Sequence, residues 1–239
     1  EDHLARIAAA LERMAPPPPA AADPLAHPAY GWRDGVLVAL RDFRPLPLDM
    51  LWGIDAQKAT LLENAQRLAT GHAAHDVLLW GARGTGKSAL VKSVVGALQS
   101  EGAGIALIEV DGDRLDTLPA LFAALAGVER AFAIFVDDVA FEANGAGARV
   151  LRSLLEGGAE ARPNNARLHV TSNRRHIVAR DIAEQDSAIN VRDVVDDRLA
   201  LADRFGLSIG FHNVDQQAYL AMIEHYAAAY DLPFDPADA

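Results

Sequence analysis

Cysteine is absent from all 239 residues of the chain. That single absence excludes disulfides, thiolate catalysis and cysteine-ligated zinc. Lysine is nearly absent too: of 22 basic residues, only Lys58, Lys87 and Lys92 are lysines. Acidic residues outnumber basic ones 33 to 22, for a formal net charge of −11 and a pI near 5.1. Such a balance argues against a free-standing basic clamp for nucleic acid and leaves room only for a local basic patch. No uninterrupted apolar run is long enough to cross a bilayer, and the first residues carry no signal-peptide pattern. The expectation is a soluble, cytoplasmic protein with no membrane partner. What the chain does have is apolar content, 51% of its residues, enough for one substantial core and a small appendage.

Residues 1–15 read as an amphipathic helix, with Leu4, Ile7, Ala8, Leu11 and Met14 on one face. Residues 16–29, beginning "PPPP", break any helix and read as a stiff Pro/Ala-rich linker. The helix either packs on the domain or serves as a detachable arm. From Gln57 to Leu68 a helical pattern runs into Gly71, a C-terminal cap. Beyond it, apolar strands at 77–80, 105–110, 132–136, 167–172 and 207–211 alternate with helices near 87–99, 117–126, 146–157 and 191–203. Strict rotation of strand and helix means an α/β fold, a parallel sheet covered on both faces. The nucleotide-type domain should span 30–212. The segment 213–239 should open a helical lid, with Asp215 capping a helix that reaches Tyr230.

Residues 81–88, "GARGTGKS", match G-x-x-x-x-G-K-[ST] in full. Glycines at 81, 84 and 86 let the backbone wrap a phosphate with its amide hydrogens pointing inward. Ala82, Arg83 and Thr85 complete the loop, and Ala89 follows it into a helix whose N-terminus favours anions. Lys87 is placed to reach the outer phosphates, and the Ser88 hydroxyl to ligate magnesium. "DVLLW" before the loop supplies the strand. The loop reads as the seat of a nucleoside triphosphate.

Two later strands carry polar tips. "FAIFVDD", residues 132–138, ends in paired acids: Asp137 suits the metal, and Asp138 suits polarising the attacking water, with Glu142 as its rival. Aspartate is shorter than the glutamate common in that role, so hydrolysis is expected to be slow. "LHVTSN", residues 168–173, ends in Asn173, whose amide can orient that water and sense the outermost phosphate. Arg204 lies just before the fifth strand, where a guanidinium can be presented at a subunit edge. A plain ion pair with Asp196, Asp197 or Asp203 would also account for it. Arg174 and Arg175 could face the same interface, a phosphate, nucleic acid or merely solvent.

Taken together, these stretches resemble the AAA+ ATPases. The run from "WGIDAQKATLLENAQ" through "VDDVAFE" and "LEGGAEARPNNARLHVTSNRRH" to "LADRFGL" is similar to a little-characterised bacterial AAA+ family of predicted ATPases. The paired aspartates look like those of the initiator and helicase-loader branch. The resemblance implies a five-stranded sheet in the order 5-1-4-3-2 with a small helical lid. It also implies ATP and Mg2+ as ligands, Asn173 as first sensor, and Arg204 as the finger of a homo-oligomer. In that resemblance "WGID" aligns with the segment that borders the adenine, which makes Gly53 and Ile54 candidates for base contact. The chain departs from the pattern in offering about one lid helix, so a second sensor stays unassigned.

Three functions remain open on these residues: an oligomeric ATPase that remodels or loads a macromolecular partner, an ATP-gated switch with little hydrolysis, and a small-molecule P-loop kinase. The loop after the second strand, "DGDRLDTLP", has no aromatic, which argues against protein threading. Only about 21 residues separate the second and third strands, leaving no obvious room for an extra initiator-type helix.

Overall fold

Continuous apolar runs decide the centre of the molecule. In the computed structural model, which describes residues 3–14, 20–139, 146–157, 162–173, 203–212 and 216–232, Ile105–Val110 and Ala131–Val136 form strands buried along almost their whole length. A strand without polar alternation must be covered on both faces, and here it is. One face packs Leu78, Ile108, Ile134 and Val170 beneath Leu121 and Leu151. The other packs Leu79, Leu107, Ala133 and Phe135 against Leu61, Leu90 and Val94.

In chain order the strands are β1 (Ala29–Arg33), β2 (Val36–Ala39), β3 (Val77–Gly81), β4 (Ile105–Val110), β5 (Ala131–Val136), β6 (Ala166–Ser172) and β7 (Leu207–Phe211). The helices are α1 (His3–Met14), α2 (Asp55–Ala69), α3 (Lys87–Ser100), α4 (Leu118–Leu125), α5 (Ala146–Leu155) and α6 (Gln216–Ala229). The sheet order is β2-β1-β4-β5-β6-β3-β7. Its last five members, read from the β7 edge, are the expected 5-1-4-3-2 arrangement, and all pair parallel.

The expectation of five strands is corrected to seven. β1 adds parallel to β4, and β2 folds back antiparallel on β1 through the turn at Asp34 and Gly35, both at positive φ. The pattern "AYGWR" hid this strand, because Gly31 and the charge of Arg33 break the apolar run. The hairpin is nevertheless anchored: Tyr30 is fully buried, and its hydroxyl donates to the Asp23 carbonyl at 2.7 Å. The Arg130 guanidinium donates to the Pro24 carbonyl at 3.0 Å, so the chain is tied to the sheet well before β1.

Helix ends follow local chemistry. α2 closes with Gly71 at φ 75, its N–H on the Leu68 carbonyl and that of His72 on the Arg67 carbonyl, the paired bonds of a Schellman cap. The expected helix near 191–203, the cap Asp215, and the residues Glu142, Arg174 and Arg175 lie outside the described residues.

Candidate functional site

The C-terminal ends of β3, β5 and β6 converge on one pocket of about 430 Å³, lined by the glycine loop, Lys87, Ser88, Asp137, Asp138 and Asn173. Ligands of open α/β sheets gather at this end, beyond the strand termini.

The loop geometry needs its glycines. Gly81 sits at φ 138, and a Cβ there would run into the backbone carbonyl of Phe211 on β7. Gly86, at φ 90, is the N-cap of α3. Inside the loop, Thr85 Oγ1 donates to the Ala82 carbonyl at 2.8 Å. Lys87 Nζ donates to the carbonyls of Gly81 at 3.0 Å and Ala82 at 2.6 Å. The ammonium therefore rests on its own loop. Burial lowers its pKa below the ordinary lysine range, against the opposing pull of Asp137 and Asp138. Arg83, Gly84 and Ala89 complete the lining.

The acids are organised by hydroxyls and an amide. Ser88 Oγ donates to Asp137 Oδ1 at 2.7 Å, and Asn173 Nδ2 donates to Asp138 Oδ1 at 2.6 Å. Thus the loop, the acidic strand and the asparagine-tipped strand are joined by direct bonds. Oxygen donors of this kind suit a hard cation that keeps few protein ligands and relies on phosphate for the rest. Among the described residues no cluster of three or more His, Cys, Asp or Glu could hold a metal by itself.

Gly53, at φ 77, precedes Ile54, the residue before α2. A Cβ on Gly86 would lie 3.7 Å from Ile54 Cδ1, so this pair borders the loop without lining the pocket.

Arg204 is elsewhere. β3 and β7 pair in register from Val77↔Leu207 to Gly81↔Phe211, and Arg204 precedes the first of these pairs. It sits at the N-terminal end of the sheet in a second cavity of about 340 Å³, with His75, Asp76, Arg162, Arg167 and Gly206. Four rises of about 3.3 Å, roughly 13 Å, separate the two ends of β7 alone. That exceeds an arginine side chain, so Arg204 does not reach the phosphate loop of its own chain.

Its ion-pair partner is Glu156, at the end of α5, rather than the neighbouring Asp203. Asp196 and Asp197 lie outside the described residues. Sequence reasoning missed the company Arg204 keeps. Arg162 meets Asp76 at 2.5 Å, and Arg167 donates to the carbonyls of Ala74 and Ala166 at 2.7 and 2.6 Å. Burial lowers the Arg167 pKa, with Asp76 opposing the shift and Arg162 adding to it. The signal was the arginines bracketing "PNNA".

The architecture and the loop define a P-loop α/β fold. Solved structures support that fold: a point variant of Thermotoga maritima RuvB matches with 22% identity and a TM-score of 0.50, over 82% of this chain and 57% of that one. The Aeropyrum pernix ORC1 protein, solved in complex with DNA, matches with 15% identity and a TM-score of 0.52, over 80% of this chain and 55% of that one. The chain thus spans a little over half the length of either. A family model described as "Protein of unknown function (DUF815)" matches residues 25–239, and the chain belongs to that family. No curated protein matches it. No helix among the described residues is long and apolar enough to cross a membrane.

Proposed function

We propose that the chain binds Mg-ATP in the loop pocket and hydrolyses it at interfaces between copies of itself, coupling turnover to the remodelling or loading of a macromolecular partner. The observation that carries this reading is the division of the machinery between opposite ends of one sheet. Loop, acids and sensor stand at the C-terminal end, and the Arg204 guanidinium at the N-terminal end. An arginine that cannot serve its own pocket can serve a neighbour's in a head-to-tail assembly.

In this reading Lys87 leaves the carbonyls of Gly81 and Ala82 for the outer phosphates when nucleotide enters. Ser88 and Asp137 would hold the magnesium. The cation, when bound, neutralises charge on the outer phosphates as the terminal phosphoryl group transfers. Asp138, with Oδ1 held by Asn173, keeps its other oxygen for the attacking water. Asn173 fixes that carboxylate and senses the terminal phosphate, and Arg204 from the adjacent copy stabilises the charge that develops there. Gly53 and Ile54 border the base. The paired aspartates favour the initiator and helicase-loader branch, while the net charge gives no support to a nucleic-acid client.

Steady-state ATPase activity measured over a range of protein concentrations tests the reading. Turnover per subunit should rise as copies assemble. Negligible turnover at every concentration, with tight ATP binding, would replace hydrolysis by an ATP-gated switch; turnover that requires an added acceptor would point to a kinase.

A further inference from the structure

Thr171 was no part of the nucleotide motif, yet it holds more of the site together than any other side chain on β6. It is 1% exposed, in a strand whose remaining middle is apolar apart from His169. Pleating places it on the face opposite Leu168 and Val170. A threonine hydroxyl has one hydrogen to donate and lone pairs to accept with. Here both functions are used. The Asp138 N–H donates to Thr171 Oγ1 at 2.8 Å, and Oγ1 donates its own hydrogen to Asp137 Oδ1 at 2.5 Å. The Thr171 carbonyl also accepts the Val139 N–H at 2.9 Å.

Two consequences follow for the acids. Asp138 stands at φ 52, a left-handed conformation that costs an aspartate roughly 1 kcal/mol, and the bonds to its amide and to the next one hold it there. Asp137 receives the hydroxyls of both Ser88 and Thr171 on the same oxygen, Oδ1. Its Oδ2 is left without a hydrogen-bond partner among the described residues. Because Ser88 spends its hydrogen on Oδ1, its lone pairs remain for the pocket.

We infer that Thr171 is a positioning residue for the metal site: its hydroxyl fixes the Asp137 carboxylate so that Oδ2 and the Ser88 oxygen both stay open to a divalent cation. Two residues on, just past the end of β6, Asn173 fixes Asp138. One strand therefore sets both acids, and a shift of β6 would disturb metal and water positions together. The inference rests on the proposal that Asp137 and Ser88 hold magnesium.

The test is binding of a fluorescent ATP analogue to the full chain, titrated with Mg2+ and repeated in EDTA, beside thermal melts. Thr171→Val keeps the shape and deletes the hydroxyl, while Thr171→Ser keeps the hydroxyl. The valine variant should bind the analogue in EDTA as the parent does, but need about tenfold more Mg2+ for half-saturation, as losing a hydrogen bond to a charged group implies. Thr171→Ser should restore the parental Mg2+ dependence to within about threefold. Should the valine variant not fold, Thr171→Ala serves the same comparison. A folded hydroxyl-free variant with parental Mg2+ half-saturation, whether or not its melting point falls, overturns the inference. Parent protein that binds the analogue without any Mg2+ dependence would instead bring down the metal reading beneath it.

Discussion

Replacing Arg204 by alanine separates catalysis between copies from catalysis within one. The side chain is 34% exposed and its partner Glu156 is 47% exposed, so the lost ion pair costs no more than about 1 kcal/mol of stability. ATP affinity should hold, because the guanidinium lies at the far end of the sheet from its own loop. Turnover should fall by about a thousandfold or more, the usual worth of such an arginine in phosphoryl transfer. Lys87→Ala should be equally inactive for the opposite reason, a disabled pocket with an intact Arg204. Mixed in equal amounts and assembled at random, about one interface in four pairs a sound pocket with a sound arginine in a head-to-tail ring. Activity should therefore return to roughly a quarter of the parental rate at equal mixing, and fall away on both sides. The assay is ATPase rate against mixing ratio, with light scattering to establish that mixed oligomers form. A flat line at zero in the presence of mixed oligomers would refute the reasoning, and leave Arg204 as a partner of Glu156 only.

Three further outcomes are expected. Lys87→Ala by itself should lose roughly 10- to 100-fold in triphosphate affinity, since it removes a charged donor, while its melting curve stays close to the parent's; unchanged binding would remove the loop assignment. Asp138→Asn keeps an oxygen for Asn173 Nδ2, so it should bind Mg-ATP normally and hydrolyse it about a hundredfold more slowly, whereas Asp137→Asn should weaken Mg2+-dependent binding. If Glu142→Gln is the slow variant and Asp138→Asn is near normal, the water belongs to Glu142. The third concerns acid stability. Burial lowers the His169 pKa to about 4 from an ordinary 6.5, and the ring shares a hydrogen bond with the Arg167 carbonyl. The unfolded chain binds that proton first, so this contribution is complete above about pH 6.5 and is lost as pH falls towards 4, by roughly 3 kcal/mol in all. His169→Leu should flatten urea-measured stability across that window. An unchanged slope would show that His169 is not the group responsible.

How much of this was legible beforehand depended on the range of the interaction. "DVLLW" followed by "GARGTGKS" fixes a strand, a turn and a helix start through contacts between near neighbours, and β3, the loop and α3 appear where the sequence puts them. The runs "IALIEV" and "AFAIFV" are apolar enough to require burial on both faces, which makes the sheet parallel and the layers three. Asp137, Asp138 and Asn173 were readable as strand tips, and they do meet in one pocket.

The hairpin of β1 and β2 was not readable, because Gly31 and Arg33 interrupt its pattern and its burial depends on Thr117 and Arg130, 85 and 100 residues away from their partners Trp32 and Tyr30. Thr171 was hidden for a related reason: a hydroxyl inside an apolar strand has no meaning until the strand lies beside the acids 34 residues earlier. The same holds for Arg204. Local sequence marks it only as a charge before a strand, and its distance from its own phosphate loop exists only once β7 has paired with β3. Local backbone conformation is decided by neighbours along the chain, so the sequence by itself determined the loop and the five central strands. Which oxygens share a proton, and which charges stand at opposite ends, are set by strand order and register, and those only the tertiary structure decided.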